Sequence, residues 1–249
     1  MSGLESAYSE FLESFQPDPN EDPVLNWLSE QFINSQLPPY WSEHVDHEGR
    51  VYYFDFLTKT SQWQHPLEEL FTRVIDFVKP IRMEIVATSI SPSFDDLVSV
   101  VEAELLAAQD SSLAKLEGWS GPYSSVVEEP TINTEECTRW YFYNTTLGIS
   151  CWESPLVQVE YELSLRHDLL VHALFSSSSD FTEVGTSVSL EEDLSPRLAF
   201  LSDKLKLPLH LLRRDDNNDD LPPSPSSSSY YSARSPHHSQ RDHPPPPIT

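Results

Sequence analysis

Apolar residues recur at helical spacing in four stretches of the first 175 residues. Side chains at i, i+3, i+4 and i+7 share one face of a helix, so each stretch predicts an amphipathic helix. Two of the starts carry capping residues. Asp22 precedes a proline at the first helical position, and Ser93 opens a capping-box-like sequence. The four helices are expected to begin near Pro23, Pro66, Ser93 and Pro155.

The ends of two of these helices are ambiguous. Pro80 favours a stop for the second helix, because proline removes a backbone donor inside a helix. Beyond it, Ile81, Met83 and Ile85 alternate like a strand but also fit a helix. The residues after Val157 show the same ambiguity, and there a helix is favoured.

A strand-like pattern separates the first two helices. Residues 41–66 hold three short runs rich in aromatic and β-branched residues, joined by two turn sequences. This pattern predicts a three-stranded antiparallel sheet, too small for an ordinary core, so large side chains must do the packing. We expect Trp41, Tyr53 and Pro66 to close one face. Tyr52 then points to the other face beside Trp63, and two adjacent rings form a slot that fits a proline ring.

The same unit occurs a second time along the chain. Counting back 11 positions from Trp152 gives Tyr141, just as counting back 11 positions from Trp63 gives Tyr52. The first turn is longer here, since Trp119 lies 20 positions before Arg139. Further matched positions are Tyr143 and Ser150 on the expected slot side, and Trp119, Phe142 and Pro155 in the expected core.

Composition narrows the classes of function. The chain has 40 acidic and 15 basic side chains, a net charge of −25, which argues against nucleic acid or an anionic membrane as a partner. No apolar run is long enough to span a membrane, and two cysteines favour a reducing, cytoplasmic compartment. No catalytic, cofactor or metal motif stands out, because His44 and His47 lack further ligands at suitable spacing. We therefore expect that the protein is not an enzyme and that it binds neither a cofactor nor a metal ion.

Composition also divides the chain. Polar and proline-rich stretches cannot bury enough apolar surface to offset the entropy of ordering. The predicted plan is a disordered N-terminus over 1–20, one unit over 21–80 with its sheet at about 37–68, a second unit over 92–175 with its sheet at about 117–157, a loosely structured stretch over 176–214, and a disordered tail over 215–249.

The first sheet resembles a WW domain. The sequences Leu37-Pro38-Pro39-Tyr40-Trp41, Tyr52-Tyr53-Phe54-Asp55 and Ser61-Gln62-Trp63 carry the resemblance, and the two tryptophans lie 22 positions apart as in that family. The fold class is therefore small all-β WW modules flanked by α-helices. The resemblance implies that Tyr52 and Trp63 hold a ligand proline and that Ser61 bonds a ligand carbonyl. The implied peptide-binding residues are Tyr52, Phe54, Phe56, Ser61 and Trp63 in the first unit, and Tyr141, Tyr143, Ser150 and Trp152 in the second.

Two departures from the WW pattern bear on specificity. Phe56 stands where the family often has a histidine that helps bind a ligand tyrosine, which argues against a Pro-Pro-x-Tyr preference. Asp46 and Glu48 occupy the turn where phosphate-reading members carry arginine, and would repel a phosphate. Together with Asp55 they are expected to surround the slot with negative charge and to favour ligands with basic flanks.

Residues 21–80 also resemble the N-terminal helix–WW–helix region of the centriolar distal-appendage proteins involved in ciliogenesis. That resemblance implies a scaffold at the centrosome or basal body, with a protein kinase as a partner. The sequence favours a non-catalytic adaptor that binds proline-rich segments. The alternative is a structural scaffold that docks a folded partner through the flanking helices, with the second WW degenerate.

The C-terminal tail carries candidate ligands of its own. Pro244–Pro247 and Leu221-Pro222-Pro223 favour the extended left-handed helix that WW slots accept. One hypothesis is that the tail is an internal ligand that competes with external ones. The histidines near the last proline tract would strengthen this competition on mild acidification, because they gain positive charge near pH 6. The alternative is a tail that serves only as a solvated linker.

Overall fold

The computed structural model describes residues 22–89, 92–127, 137–175, 212, 222–225 and 244–247, with 126, 127 and 137 as backbone only. The described part contains four long helices and two three-stranded antiparallel sheets. Each sheet lies between two helices along the chain. This confirms the predicted fold class of small antiparallel sheets flanked by helices. The disorder predicted for 1–20 and for most of 215–249 lies outside the described residues.

Helix α1 spans Pro23–Asn34 and starts as its capping sequence predicts. The Asp22 carboxylate accepts a hydrogen bond from the backbone N–H of Val24 at 2.9 Å, and proline follows the cap. One turn of apolar residues after another then faces the core, with Val24 and Leu28 fully buried. Asp22 also joins α1 to the following helix. Its two oxygens accept from Nε and Nη2 of the buried Arg82 at 2.8 and 3.0 Å.

Strands β1 (Trp41–Val45), β2 (Val51–Asp55) and β3 (Thr60–Gln62) form the first sheet in the order β1-β2-β3. The register pairs His44 with Tyr52 and Tyr53 with Gln62. Gly49 has φ +81° in the first turn. A side chain there would be strained, so glycine suits this turn.

Helix α2 spans Glu68–Thr88 and does not stop at Pro80. The predicted end at Pro80 was wrong, and the residues after it, for which the sequence left strand and helix undecided, are helical. The proline leaves the carbonyl of Asp76 without its usual partner, but both residues lie on the exposed side, where water reaches that carbonyl. Buried residues before and after the proline, among them Val78 and Arg82, continue one helical face.

The second unit repeats this order. Helix α3 spans Phe94–Lys115 and begins at Ser93, whose hydroxyl accepts from the N–H of Asp96 at 3.2 Å. Strands β4 (Trp119–Val127), β5 (Cys137–Asn144) and β6 (Ile149–Cys151) form the second sheet in the order β4-β5-β6. Its longer first connection extends the β4–β5 hairpin beyond the length of β1–β2. Helix α4 spans Pro155–Phe175, so the helix favoured after Val157 is confirmed.

One hydrophobic core joins the two units. It combines buried residues from all four helices, such as Leu28, Phe71, Leu105 and Leu163, with Trp119 from the second sheet. Polar links add to it across the helices. Arg166 pairs with Glu104 at 2.9 Å and Lys115 with Glu162 at 2.6 Å. The four helices therefore form one packed body, to which Leu57 of the β2–β3 turn attaches the first sheet and Trp119 of β4 attaches the second.

Candidate peptide-binding site

The first candidate slot is built by two rings on one face of the first sheet. Tyr52 lies on β2 and Trp63 directly follows β3, and their ring centroids are 6.1 Å apart at an interplanar angle of 72°. Tyr52 is 2% exposed. Burial raises the pKa of its phenol, so the hydroxyl stays protonated at neutral pH and is available as a donor.

Two hydroxyl groups of this slot meet consecutive prolines of the same chain. The Tyr52 hydroxyl donates to the carbonyl of Pro244 at 2.5 Å. The Ser61 hydroxyl donates to the carbonyl of Pro245 at 2.6 Å. Tyr52, Ser61 and Trp63, which sequence reasoning assigned to the slot, therefore lie together on one face, against a proline segment.

Two further side chains complete the first slot. His44 on β1 stacks on Tyr52 with ring centroids 5.4 Å apart, and its Nε2 lies 2.7 Å from the Ser42 hydroxyl. The guanidinium of Arg50 lies over the ring of Trp63 at 4.5 Å. This cation–π contact helps fix the tryptophan ring in its orientation.

The negative charges expected around this slot have other partners. Asp46 binds Arg50 through Nε at 2.9 Å and Nη2 at 2.8 Å, and Glu48 lies 3.1 Å from the same guanidinium. The backbone N–H groups of Arg50 and Glu48 also donate to Asp46, and together with the Arg50 guanidinium they hold the pKa of Asp46 below its usual value. Asp55 is buried in the β2–β3 turn, where it accepts from the N–H of Leu57 and the hydroxyl of Thr58, both at 2.8 Å. The expected acidic ring is therefore not formed, since alternation turns Asp55 away from the slot and Arg50 offsets the other two.

The remaining aromatic residues of β2 divide between the two faces. Phe54 shares the face of Tyr52 and meets Phe56 edge-on at 5.1 Å, with Lys59 over Phe56 at 5.9 Å. On the opposite face Tyr53 is 3% exposed and packs edge-on against His65 at 5.0 Å. Burial lowers the pKa of His65 to about 4, so this ring is neutral at physiological pH.

The second candidate slot has the same construction. The rings of Tyr141 and Trp152 have centroids 6.0 Å apart at 76°. The Tyr141 hydroxyl donates to the carbonyl of Pro222 at 2.6 Å, and the Ser150 hydroxyl donates to the carbonyl of Pro223. Burial raises the pKa of the Tyr141 phenol as it does in the first slot.

The neighbours of the second slot also repeat those of the first. Tyr123 pairs with Tyr141 across the strands, as His44 pairs with Tyr52, and the two tyrosine rings are 5.5 Å apart. Arg139 lies over Trp152 at 4.7 Å. By strand alternation Tyr143 shares the face of Tyr141, whereas Phe142 is 5% exposed in the core.

Sequence reasoning missed the residues that support the slot rings. Arg50 and Arg139 each lie 13 positions before the slot tryptophan, so the repeat itself carried a signal for both. His44 and Tyr123 carried no such signal. The first belongs to a short hairpin and the second follows a register irregularity between Ser120 and Tyr123.

The core faces of the two sheets border a shared cleft of about 790 Å³. Trp41 and Pro66 line it from the first sheet's side, and Trp119 and Pro155 line it from the second's. Trp41 is half-buried there, and its buried indole N–H has no hydrogen-bond partner among the residues that the structure describes. Both slots lie on the faces turned away from this cleft, and are therefore open to separate ligands.

Other candidates from the sequence do not form sites in the described part of the chain. No group of three or more potential metal ligands occurs among the described residues. Cys151 is buried, its thiol donates to the carbonyl of Glu153 at 3.1 Å, and burial raises its pKa to about 12, so it is a poor nucleophile. No described helix is long and apolar enough to cross a bilayer.

Comparison with known proteins agrees with the geometry of the first sheet. Residues 37–66 match the WW domain family. A 58-residue stretch is 36% identical to the centrosomal protein of 164 kDa from Mus musculus. That stretch covers 23% of this chain and 4% of the mouse protein, so the likeness concerns one region only. WW domains bind proline-rich peptides in other proteins, and this protein carries one.

Proposed function

We propose that this protein is a non-catalytic adaptor that binds proline-rich segments through two WW modules, at residues 37–66 and at about 117–157. The observation that carries the proposal is the repeated pair of hydroxyl donors. In each module a tyrosine and a serine nine positions apart meet the carbonyls of two successive prolines. Backbone carbonyls of an extended proline helix have no internal partners, so such a pair of donors suits this ligand class.

A single slot is a weak binding site. Burying about 300 Å² of apolar surface at ~25 cal/mol per Å² gains about 7 kcal/mol. Two hydrogen bonds add about 1 kcal/mol each. The loss of translational and rotational freedom on association costs at least ~4 kcal/mol. The remainder of about 5 kcal/mol corresponds to a Kd of about 0.2 mM. Two modules on one packed body would raise affinity for a partner with two proline segments.

The ligand's flanks are expected to be basic. The net charge of −25 attracts positive segments over a distance set by salt. Asp46 and Glu48 contribute little on their own, since Arg50 offsets them. The preference is therefore a long-range effect and should fall steadily as salt is added.

The cellular setting is proposed from the relative. Similarity to a centrosomal protein supports a role at the centriole or cilium. The kinase partner implied by the distal-appendage resemblance would present a proline-rich segment to one of the slots. Co-localisation with a centriolar marker, lost when residues 21–80 are replaced, tests the setting.

The experiment that tests binding uses an array of proline-rich peptides and the full-length chain. Trp63→Ala with Trp152→Ala removes one wall of each slot. Trp140→Ala is the matched control, because Trp140 is 56% exposed on the opposite face of β5 from Tyr141. We expect the double variant to lose array binding and the control to keep it. Binding that survives the double variant would instead support a scaffold that docks partners through its helices.

A further inference from the structure

We propose that the chain's own tail supplies the resting ligand of both slots, with Pro222–Pro225 in the second slot and Pro244–Pro247 in the first. This rests on the proposed function and names a ligand for it. The two slots hold different segments, and neither segment contacts the slot of the other through the hydrogen bonds described. The tail is thus an ordered pair of ligands rather than one tract that samples two sites.

The first argument is the equivalence of the two contacts. Tyr52 and Ser61 bond the first and second proline of the distal segment, and Tyr141 and Ser150 bond the first and second proline of the proximal segment. The direction of the tail across each sheet is therefore the same. Two segments of unlike sequence, one of four prolines and one interrupted by Ser224, adopt the same seat.

The second argument is chain length. Phe175 ends α4, and Pro222 follows 47 positions later. An extended chain covers at most about 3.6 Å per residue, so this stretch can reach far beyond one module. From Pro225 to Pro244 there are 19 positions, which span at most about 68 Å. The order of the segments also follows the order of the chain. The segment nearer to α4 in sequence occupies the second module, which ends with α4, and the more distant segment occupies the first.

The third argument is charge. Residues 226–249, which include the distal segment, carry two arginines against one aspartate, while the whole chain has a net charge of −25. Arg241 lies three positions before the distal prolines, with Asp242 and His243 between. The proximal prolines instead follow an acidic run over 215–220. The body's charge therefore favours the distal segment as a ligand and gives the proximal segment no such support.

Occupation by the tail weakens every external ligand by a predictable factor. A tethered segment has an effective concentration of about 1 mM. With a slot Kd of about 0.2 mM, the tail raises the apparent Kd of a competitor roughly sixfold. A partner with two proline segments, or one at high local concentration, would overcome this and open both slots.

The first test follows the indole N–H signals of the two slot tryptophans by NMR in full-length protein. Pro244→Gly with Pro245→Gly should shift the Trp63 signal and leave that of Trp152 in place. Pro222→Gly with Pro223→Gly should do the reverse. The matched control is Pro236→Gly, a proline of the same tail outside both seated segments. If neither double variant moves its own tryptophan signal, the tail does not occupy the slots.

The second test titrates a labelled peptide of sequence RDHPPPPIT into full-length proteins. The Pro244→Gly/Pro245→Gly variant should bind it about sixfold more tightly at the first slot than the wild type. Equal affinities would overturn the internal ligand and leave the proposed function standing. Absence of binding to every variant would overturn the proposed function as well.

A dilution series decides whether the tail binds within its own chain. The tryptophan signals of the wild type should stay unchanged from high to low protein concentration, and sedimentation should report a monomer. Signals that move on dilution towards those of the glycine variants would assign the tail to a second copy of the chain and overturn the intramolecular form.

Discussion

Removing one hydroxyl from the first slot should have an effect that depends on the tail. Tyr52→Phe keeps the ring beside Trp63 but deletes the donor to the carbonyl of Pro244, a bond of 2.5 Å. The hydrogen bond is part-buried, so the loss should be about 1.4 kcal/mol, or tenfold in Kd. This factor applies to any proline ligand in the slot, including the tail.

The loss of the Tyr52 hydroxyl should have a different effect on peptide affinity when the distal tail segment is disabled and when it is intact. With the distal tail segment disabled by Pro244→Gly and Pro245→Gly, the Kd of a proline-rich peptide should rise from about 0.2 to about 2 mM. With the tail intact, Tyr52→Phe weakens the competitor as much as the peptide. The apparent Kd should then rise only from about 1.2 to about 3 mM, a factor of about 2.5.

The assay is a titration of the labelled RDHPPPPIT peptide into four full-length proteins, with and without each change. Tyr161→Phe is the control, because its hydroxyl bonds Gln36 at 3.3 Å and lies outside both slots. A tenfold loss in both backgrounds would show that the tail does not compete. No loss in either background would refute the role assigned to the Tyr52 hydroxyl.

Three further predictions concern stability and the division of roles. Trp63→Ala should abolish binding at the first slot and leave the thermal transition unchanged. Trp41→Ala should instead cost ~3–5 kcal/mol in the free energy of unfolding. Loss of the near-UV circular dichroism signal in Trp63→Ala would contradict this division of roles. Arg82→Met should cost about 3 kcal/mol in urea unfolding, because it leaves the partly buried carboxylate of Asp22 without its bidentate partner. Adding Asp22→Leu also removes the cap of α1, worth about 1 kcal/mol, so the double variant should recover only part of that loss. A further loss well above the cost of the cap would argue against the ion pair. His65 has a folded pKa of about 4 and an unfolded value near 6.5, so its contribution is complete above pH 6.5 and is lost as the pH falls towards 4. The loss should reach about 3 kcal/mol and be absent in His65→Gln, and an equally steep loss in that variant would assign the acid sensitivity elsewhere.

The sheet and its two-faced aromatic pattern could be predicted because strand alternation is a local rule. The neighbours Tyr52 and Tyr53 must point to opposite faces whatever surrounds them. The helix favoured after Val157 could be predicted for a similar reason, since its apolar residues repeat with a helical period. These features depend on residues that are close in sequence.

What the sequence did not reveal depends on the environment in space. Pro80 does not end α2, because the side of the helix on which it lies is exposed and the flanking turns are held by the core. The side chain of Asp55 stabilises the β2–β3 turn and does not line the slot, because it accepts a hydrogen bond from the N–H of Leu57. The joining of two units into one core required contacts between residues far apart in sequence, for which no local pattern is a guide.

The shared core fixes the distance between the two slots. Flexibly linked modules adjust to any spacing of two proline motifs, but slots fixed on one body demand that a partner's motifs be far enough apart to span them. The tail shows that 19 positions suffice, so the two seats lie no more than about 68 Å apart along the path of a bound chain. Partners whose proline motifs lie 19 or more positions apart can therefore engage both slots at once, whereas a spacer too short to cover the distance between the slots restricts a partner to one slot at a time.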